Sequence, residues 1–62
     1  MKVREIIKMI EADGWYRIKA RGGHRQYKHP LKPGRVTVPG QLNAALDKKT
    51  EKSLLKQAGL ED

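Results

Sequence analysis

His24 is the side chain of this sequence best suited to moving a proton, and it stands in the run Arg21-Gly22-Gly23-His24-Arg25-Gln26-Tyr27-Lys28. An imidazole titrates near neutrality and serves as a general acid or base at cellular pH. Its neighbours decide which substrate would profit from that. Residues 14–46 hold the cations Arg17, Lys19, Arg21, Arg25, Lys28, Lys32 and Arg35 and no carboxylate. The flanks, 1–13 and 47–62, carry seven basic and seven acidic residues and cancel, so the whole net charge of +7 lies in the middle of the chain. Charge segregated in this way points to a polyanion, nucleic acid above all, in preference to a surface that is merely well solvated.

RNA suits such a site because it brings its own nucleophile, the 2′-hydroxyl beside each phosphate. Cleavage then needs a proton removed from that hydroxyl, a proton delivered to the departing 5′-oxygen, and positive charge against the phosphorane. A histidine meets either of the first two needs, and arginines and lysines meet the third. No metal or other cofactor enters this scheme. From the residues alone, however, a single histidine is more often an ordinary exposed side chain, or one that binds phosphate without catalysis. His29 precedes Pro30 and reads as structural. His24 and His29 are expected on opposite faces, with no carboxylate nearby to complete a metal site. The chain has no cysteine, so neither a disulfide framework nor a thiolate zinc site is available. No Ser–His–Asp spacing or phosphate-binding glycine motif occurs.

The elements that must position His24 follow from periodicity. Val3, Ile6, Ile7 and Ile10 recur at the spacing of one buried helical stripe, and Asp13-Gly14 ends it. Trp15–Arg21 alternates in period two and His24–His29 is extended, so Gly22-Gly23 between them reads as a hairpin turn with positive φ. Pro33-Gly34 marks a second turn before a short strand, Arg35–Val38. Asp47 is placed to cap a last helix, whose apolar side is Leu54, Leu55 and Ala58 and whose end is Gly59. Residues 40–46 read either as a loop or as an earlier turn of that helix. The expected architecture is α+β: helix, three-stranded antiparallel meander, helix, with both helices on one sheet face and the other face open.

A two-residue turn pairs Arg21 with His24, Lys19 with Gln26, Ile18 with Tyr27 and Arg17 with Lys28. Paired residues share a face. Tyr16, Ile18, Ala20, Arg25 and Tyr27 would then lie under the helices together with His29, Val36 and Val38. The open face would carry Trp15, Arg17, Lys19, Arg21, His24, Gln26, Lys28, Arg35 and Thr37. Trp15, apolar and outside, and Arg25, charged and inside, fit this register least well. A slip of one residue would turn His24 to the other face.

Four segments together resemble a known family. They are Ile6–Trp15, Gly22–Pro30, Gly34–Val38 and Leu54–Leu60, in this order and over nearly the full length. The chain resembles the HicA (YcfA-like) toxins of type II toxin–antitoxin systems. The resemblance implies a dsRNA-binding-domain-like fold over residues 1–62 as a single domain. It also implies an endoribonuclease (mRNA interferase) activity with His24 as the catalytic histidine, and a HicB-like antitoxin that blocks the site. Many members carry serine before that histidine, where this chain has Gly23. The expected function is therefore a metal-independent, cofactor-free toxin that cleaves mRNA. Lys19, Arg21, Gly22, Gly23, Gln26 and Lys28 would hold the RNA. The alternative is a non-catalytic RNA-binding module using the same basic face. With no apolar stretch able to cross a bilayer and no signal-peptide core, a cytoplasmic protein without membrane contact is expected.

Overall fold

The computed structural model describes residues 1–60. The chain runs α1 (Val3–Ala12), β1 (Tyr16–Arg21), β2 (His24–Lys28), β3 (Val36–Val38) and α2 (Lys48–Gln57). The strands form one antiparallel sheet in the order β1-β2-β3. Val3, Ile6, Ile7 and Ile10 of α1 and Leu54 and Ala58 of α2 pack with Trp15, Tyr27, Val36 and Val38 into one core. Both helices thus cover a single sheet face, as the apolar pattern requires.

The segment 40–46 is a loop, not a helical turn, and it has a task. The first amides of a helix lack intrahelical partners. Here the Val3 amide donates to the Ala44 carbonyl at 2.9 Å and the Arg4 amide to the Leu42 carbonyl at 3.0 Å, while Lys2 and Ala45 form an isolated bridge. The loop therefore caps α1 from outside. Asp47 caps α2 as its position suggested, accepting from the Thr50 amide at 3.1 Å.

The sheet corrects the expected register at one point. Arg21 pairs with His24, Ala20 with Arg25 and Lys19 with Gln26, as anticipated, but Arg17 pairs with Tyr27 and Tyr16 with Lys28. Ile18 is the extra residue of a bulge between Arg17 and Lys19. A bulge sets two residues against one and reverses the alternation beyond it. Trp15 therefore turns inward and is 2% exposed, whereas Tyr16 joins the open face. Ile18, expected in the core, is 41% exposed, and Arg17 leaves the open face. The physical reason lies in burial: an unbroken β1 would leave an indole in water. Arg25 remains on the helix side, half-buried, and its guanidinium donates to the Gly40 carbonyl at 3.0 Å.

His29 is structural. Its Nε2 lies 2.7 Å from the Asp13 carbonyl oxygen, and its Nδ1 accepts from the Leu31 and Lys32 amides at 3.0 and 3.1 Å. A tautomer with the proton on Nε2 satisfies all three contacts. The ring meets Trp15 edge-on with centroids 5.3 Å apart, and the Trp15 indole donates to the Ala58 carbonyl at 3.3 Å. Lys32 Nζ bridges the Asp13 carboxylate at 2.5 Å and the Ala58 carbonyl at 3.1 Å. The ends of α1, β2 and α2 are thus fastened together. Gly14 is required there: its φ is +110°, and a Cβ would stand 2.8 Å from His29 Nε2.

Two predictions follow from these contacts. His29→Ala should destabilise the protein by about 2–3 kcal/mol in urea unfolding, through lost hydrogen bonds and a cavity beside Trp15. The Lys32 ammonium holds the Asp13 carboxyl below the usual carboxylate range, and hydrogen bonds from Thr50 do the same for Asp47. A lowered carboxyl pKa adds stability that is complete above the unfolded value near 4 and is lost as pH falls through the folded value. The stability gap between wild type and Asp13→Asn, open at pH 7, should therefore close progressively below about pH 4 in equilibrium unfolding followed by circular dichroism.

Candidate nucleic-acid interface

The site begins at the hairpin turn. Gly22 and Gly23 take φ of +56° and +81°, the positive pair that a two-residue turn of type I′ requires. No atom lies within 4 Å of where their Cβ atoms would be, so the demand for glycine is conformational only. The turn sets Arg21 directly across from His24, and the next pair on the same face is Lys19 and Gln26. These four side chains line one small pocket of about 190 Å³. The imidazole therefore shares a pocket with two cations, directly across from Arg21, on the side of the sheet away from the helices.

Further along β2, Lys28 shares this face but lies outside the pocket lining. Gly22 and Gly23 contribute the turn and no side chain. The pocket thus unites His24, Lys19, Arg21 and Gln26 of the residues singled out from the sequence. Two participants were not singled out. Arg35 Nη1 donates to Gln26 Oε1 at 3.1 Å, which orients the amide of a pocket residue. Tyr16 reaches the face through the bulge, opposite Lys28. The only sequence signal for Tyr16 was the poor fit of Trp15 to an outward position. Arg35 was legible as a residue of the open face, but its bond to Gln26 was not.

No carboxylate occurs in residues 14–46, so none of these strands brings negative charge to the site. Among the described residues, no group of three or more histidine, cysteine or acidic side chains is arranged to hold a metal ion. On the opposite side of β2, Tyr27 is buried in the core and anchors the central strand, and that burial pushes its phenol above the ordinary value. What the open face offers chemically is one imidazole, guanidinium and ammonium groups, and an oriented amide: proton transfer beside a held anion.

A family model for the HicA toxin of bacterial toxin–antitoxin systems matches residues 3–60. The chain belongs to the HicA toxin family. Among solved structures, a chain of a toxin–antitoxin complex from Streptococcus pneumoniae is similar to it, with 31% identity over 97% of this chain and 98% of that chain and a TM-score of 0.78. A comparison with curated proteins finds no match. The α+β arrangement described above is thus the dsRNA-binding-domain-like fold of HicA toxins, with helix, meander and helix in the same order.

In this HicA chain the turn tolerates little. Gly23→Ala should cost about 1–2 kcal/mol in thermal or urea unfolding, because an L side chain resists positive φ even where space is free. Gly23→Asn should cost less, since asparagine enters that region more readily.

Proposed function

We propose that this chain is the toxin of a type II toxin–antitoxin pair and a metal-independent endoribonuclease that cleaves mRNA, with His24 as its proton-transfer group. The observation that carries the reading is the shared pocket: His24 lines it together with Lys19, Arg21 and Gln26, on an open face whose strands carry no carboxylate. Family membership supports it, and the chemistry balances without a cofactor. The ribose 2′-oxygen loses its proton and attacks the adjacent phosphorus. The bond from phosphorus to the 5′-oxygen breaks, and that oxygen takes up a proton. The products are a 2′,3′-cyclic phosphate and a free 5′-hydroxyl. His24 serves one of the two proton transfers, as acid or as base. Lys19 and Arg21 hold the phosphate and oppose the charge that grows on its oxygens, and Gln26 and Lys28 extend the grip.

A partner is part of the proposal. The solved relative was obtained as a toxin–antitoxin complex. Here a HicB-like antitoxin presenting acidic groups would meet the same open face, where four cations await it: Lys19, Arg21, Lys28 and Arg35. Covering that face would block His24. No described helix is long and apolar enough to cross a membrane, and the cytoplasm is the proposed site of action because mRNA is there.

The test is cleavage of RNA by purified protein in EDTA, with products separated on denaturing gels and their ends typed by phosphatase and kinase treatment. Wild type should cleave in chelator and leave cyclic or 3′-phosphate and 5′-hydroxyl ends. His24→Ala should lose activity by two orders of magnitude or more while still binding RNA. Cleavage that His24→Ala leaves intact would remove the histidine from the mechanism, and loss of activity in EDTA would remove the metal-independent scheme. Salt-sensitive binding without any cleavage by wild type would leave an RNA-binding module. Lys19→Ala and Arg21→Ala should each weaken binding and flatten its salt dependence by about 0.7–1 in the log–log slope.

A further inference from the structure

The bulge in β1 has a second result besides burying Trp15. The chain has three large aromatic side chains, one tryptophan and two tyrosines. Trp15 and Tyr27 are each 2% exposed, whereas Tyr16 is 49% exposed. The open face therefore carries one of the three large aromatic side chains, Tyr16, and it carries it because one extra residue reverses the alternation of β1 between Arg17 and Lys19. Bulges are common beside functional sites, where they re-aim a side chain.

The position of this ring is informative. Three successive cross-strand pairs line up on the open face: Arg21 with His24, Lys19 with Gln26, and Tyr16 with Lys28. Along β2 the last pair lies four residues from the first, roughly 13 Å at the ordinary strand rise. A strand of RNA laid along this row with a phosphate at His24 would pass its next few nucleotides over Tyr16. The ring offers a flat apolar surface to a base, and Lys28 beside it offers a cation to the neighbouring phosphate. That combination of stacking surface and backbone cation is how proteins hold single-stranded nucleic acid. A duplex buries the faces of its bases in its own stack and has nothing to place there.

We propose that Tyr16 is a base-stacking platform that makes the open face selective for single-stranded RNA and sets the nucleotide register at His24. The inference rests on the ribonuclease reading above and adds to it a substrate class and a specificity-determining residue. Tyr16 takes no part in proton transfer. Its exposure makes it replaceable without loss of the fold.

The test compares wild type, Tyr16→Phe and Tyr16→Ala. Cleavage of a single-stranded RNA gives kcat and KM separately. Binding of the same RNA, and of an RNA duplex, is measured by fluorescence anisotropy in a His24→Ala background. Tyr16→Ala should weaken single-strand binding and raise KM by about 5- to 150-fold, the range for loss of one stacked base. Tyr16→Phe should stay within about 2-fold of wild type, and duplex binding should be the same for all three. A set of RNAs with one abasic site stepped along the strand should contain a position at which Tyr16→Ala no longer costs affinity. Equal single-strand affinity and KM for wild type and Tyr16→Ala would overturn the proposal, as would a loss in Tyr16→Phe as large as in Tyr16→Ala. Failure of the ribonuclease reading would look different, because wild type itself would then leave the RNA intact.

Discussion

β1 has to meet two demands at once, and the rest of the molecule depends on how it does so. At its start the indole of Trp15 must leave water. At its end Lys19 and Arg21 must stay in it. These positions have the wrong parity for a regular strand: an unbroken alternation puts 15, 19 and 21 on the same side. One extra residue, Ile18, resolves the conflict, because a bulge reverses facing at the cost of local pairing. The exchange favours folding. Ile18 is left 41% exposed, but the larger Trp15 side chain is buried and its N–H finds the Ala58 carbonyl.

With Trp15 inside, the second organising contact becomes possible. A chain of this length has a small core, which buries only about 60% of its unfolded surface. The ends of its elements therefore need support from polar contacts. His29 and Lys32 provide it by using nearly all their hydrogen-bonding capacity between Asp13, Ala58 and two loop amides. Both helices end with amide-to-carbonyl closures of the same kind, Trp15 to Ile10 at 3.1 Å and Leu60 to Leu55 at 2.8 Å. The clasp sits on the helix side of the sheet, at the end of β2 opposite the turn that carries His24.

The two histidines occupy opposite surroundings. His29 is enclosed, with both ring nitrogens engaged by backbone groups, and has no capacity left for substrate. His24 stands beside the hairpin turn, across from Arg21 and in one pocket with Lys19, on the face opposite the core. The sheet divides the groups: the core and the clasp on one side, and Lys19, Arg21, Lys28 and the imidazole of His24 on the other. A carboxylate among those cations would neutralise part of their charge, and residues 14–46 contain none.

Much of this was legible in the residues themselves. The α1 stripe, the Asp47 cap, the double-glycine turn, the cationic middle segment and the pairing of Arg21 with His24 are local matters. They depend on spacing along the chain and on the φ that glycine alone adopts freely, so a linear reading reaches them. What the tertiary structure decided was parity and partnership. Whether β1 keeps or breaks its alternation depends on where the core lies, and that set Trp15 and Arg17 on one side and Tyr16 on the other. The loop at 40–46 became a cap for α1 because the free amides of that helix lay beside it. The bond from Arg35 to Gln26 joins residues nine positions apart that only strand pairing makes neighbours. Burial and partnership depend on the distances between elements, which the order of residues does not contain.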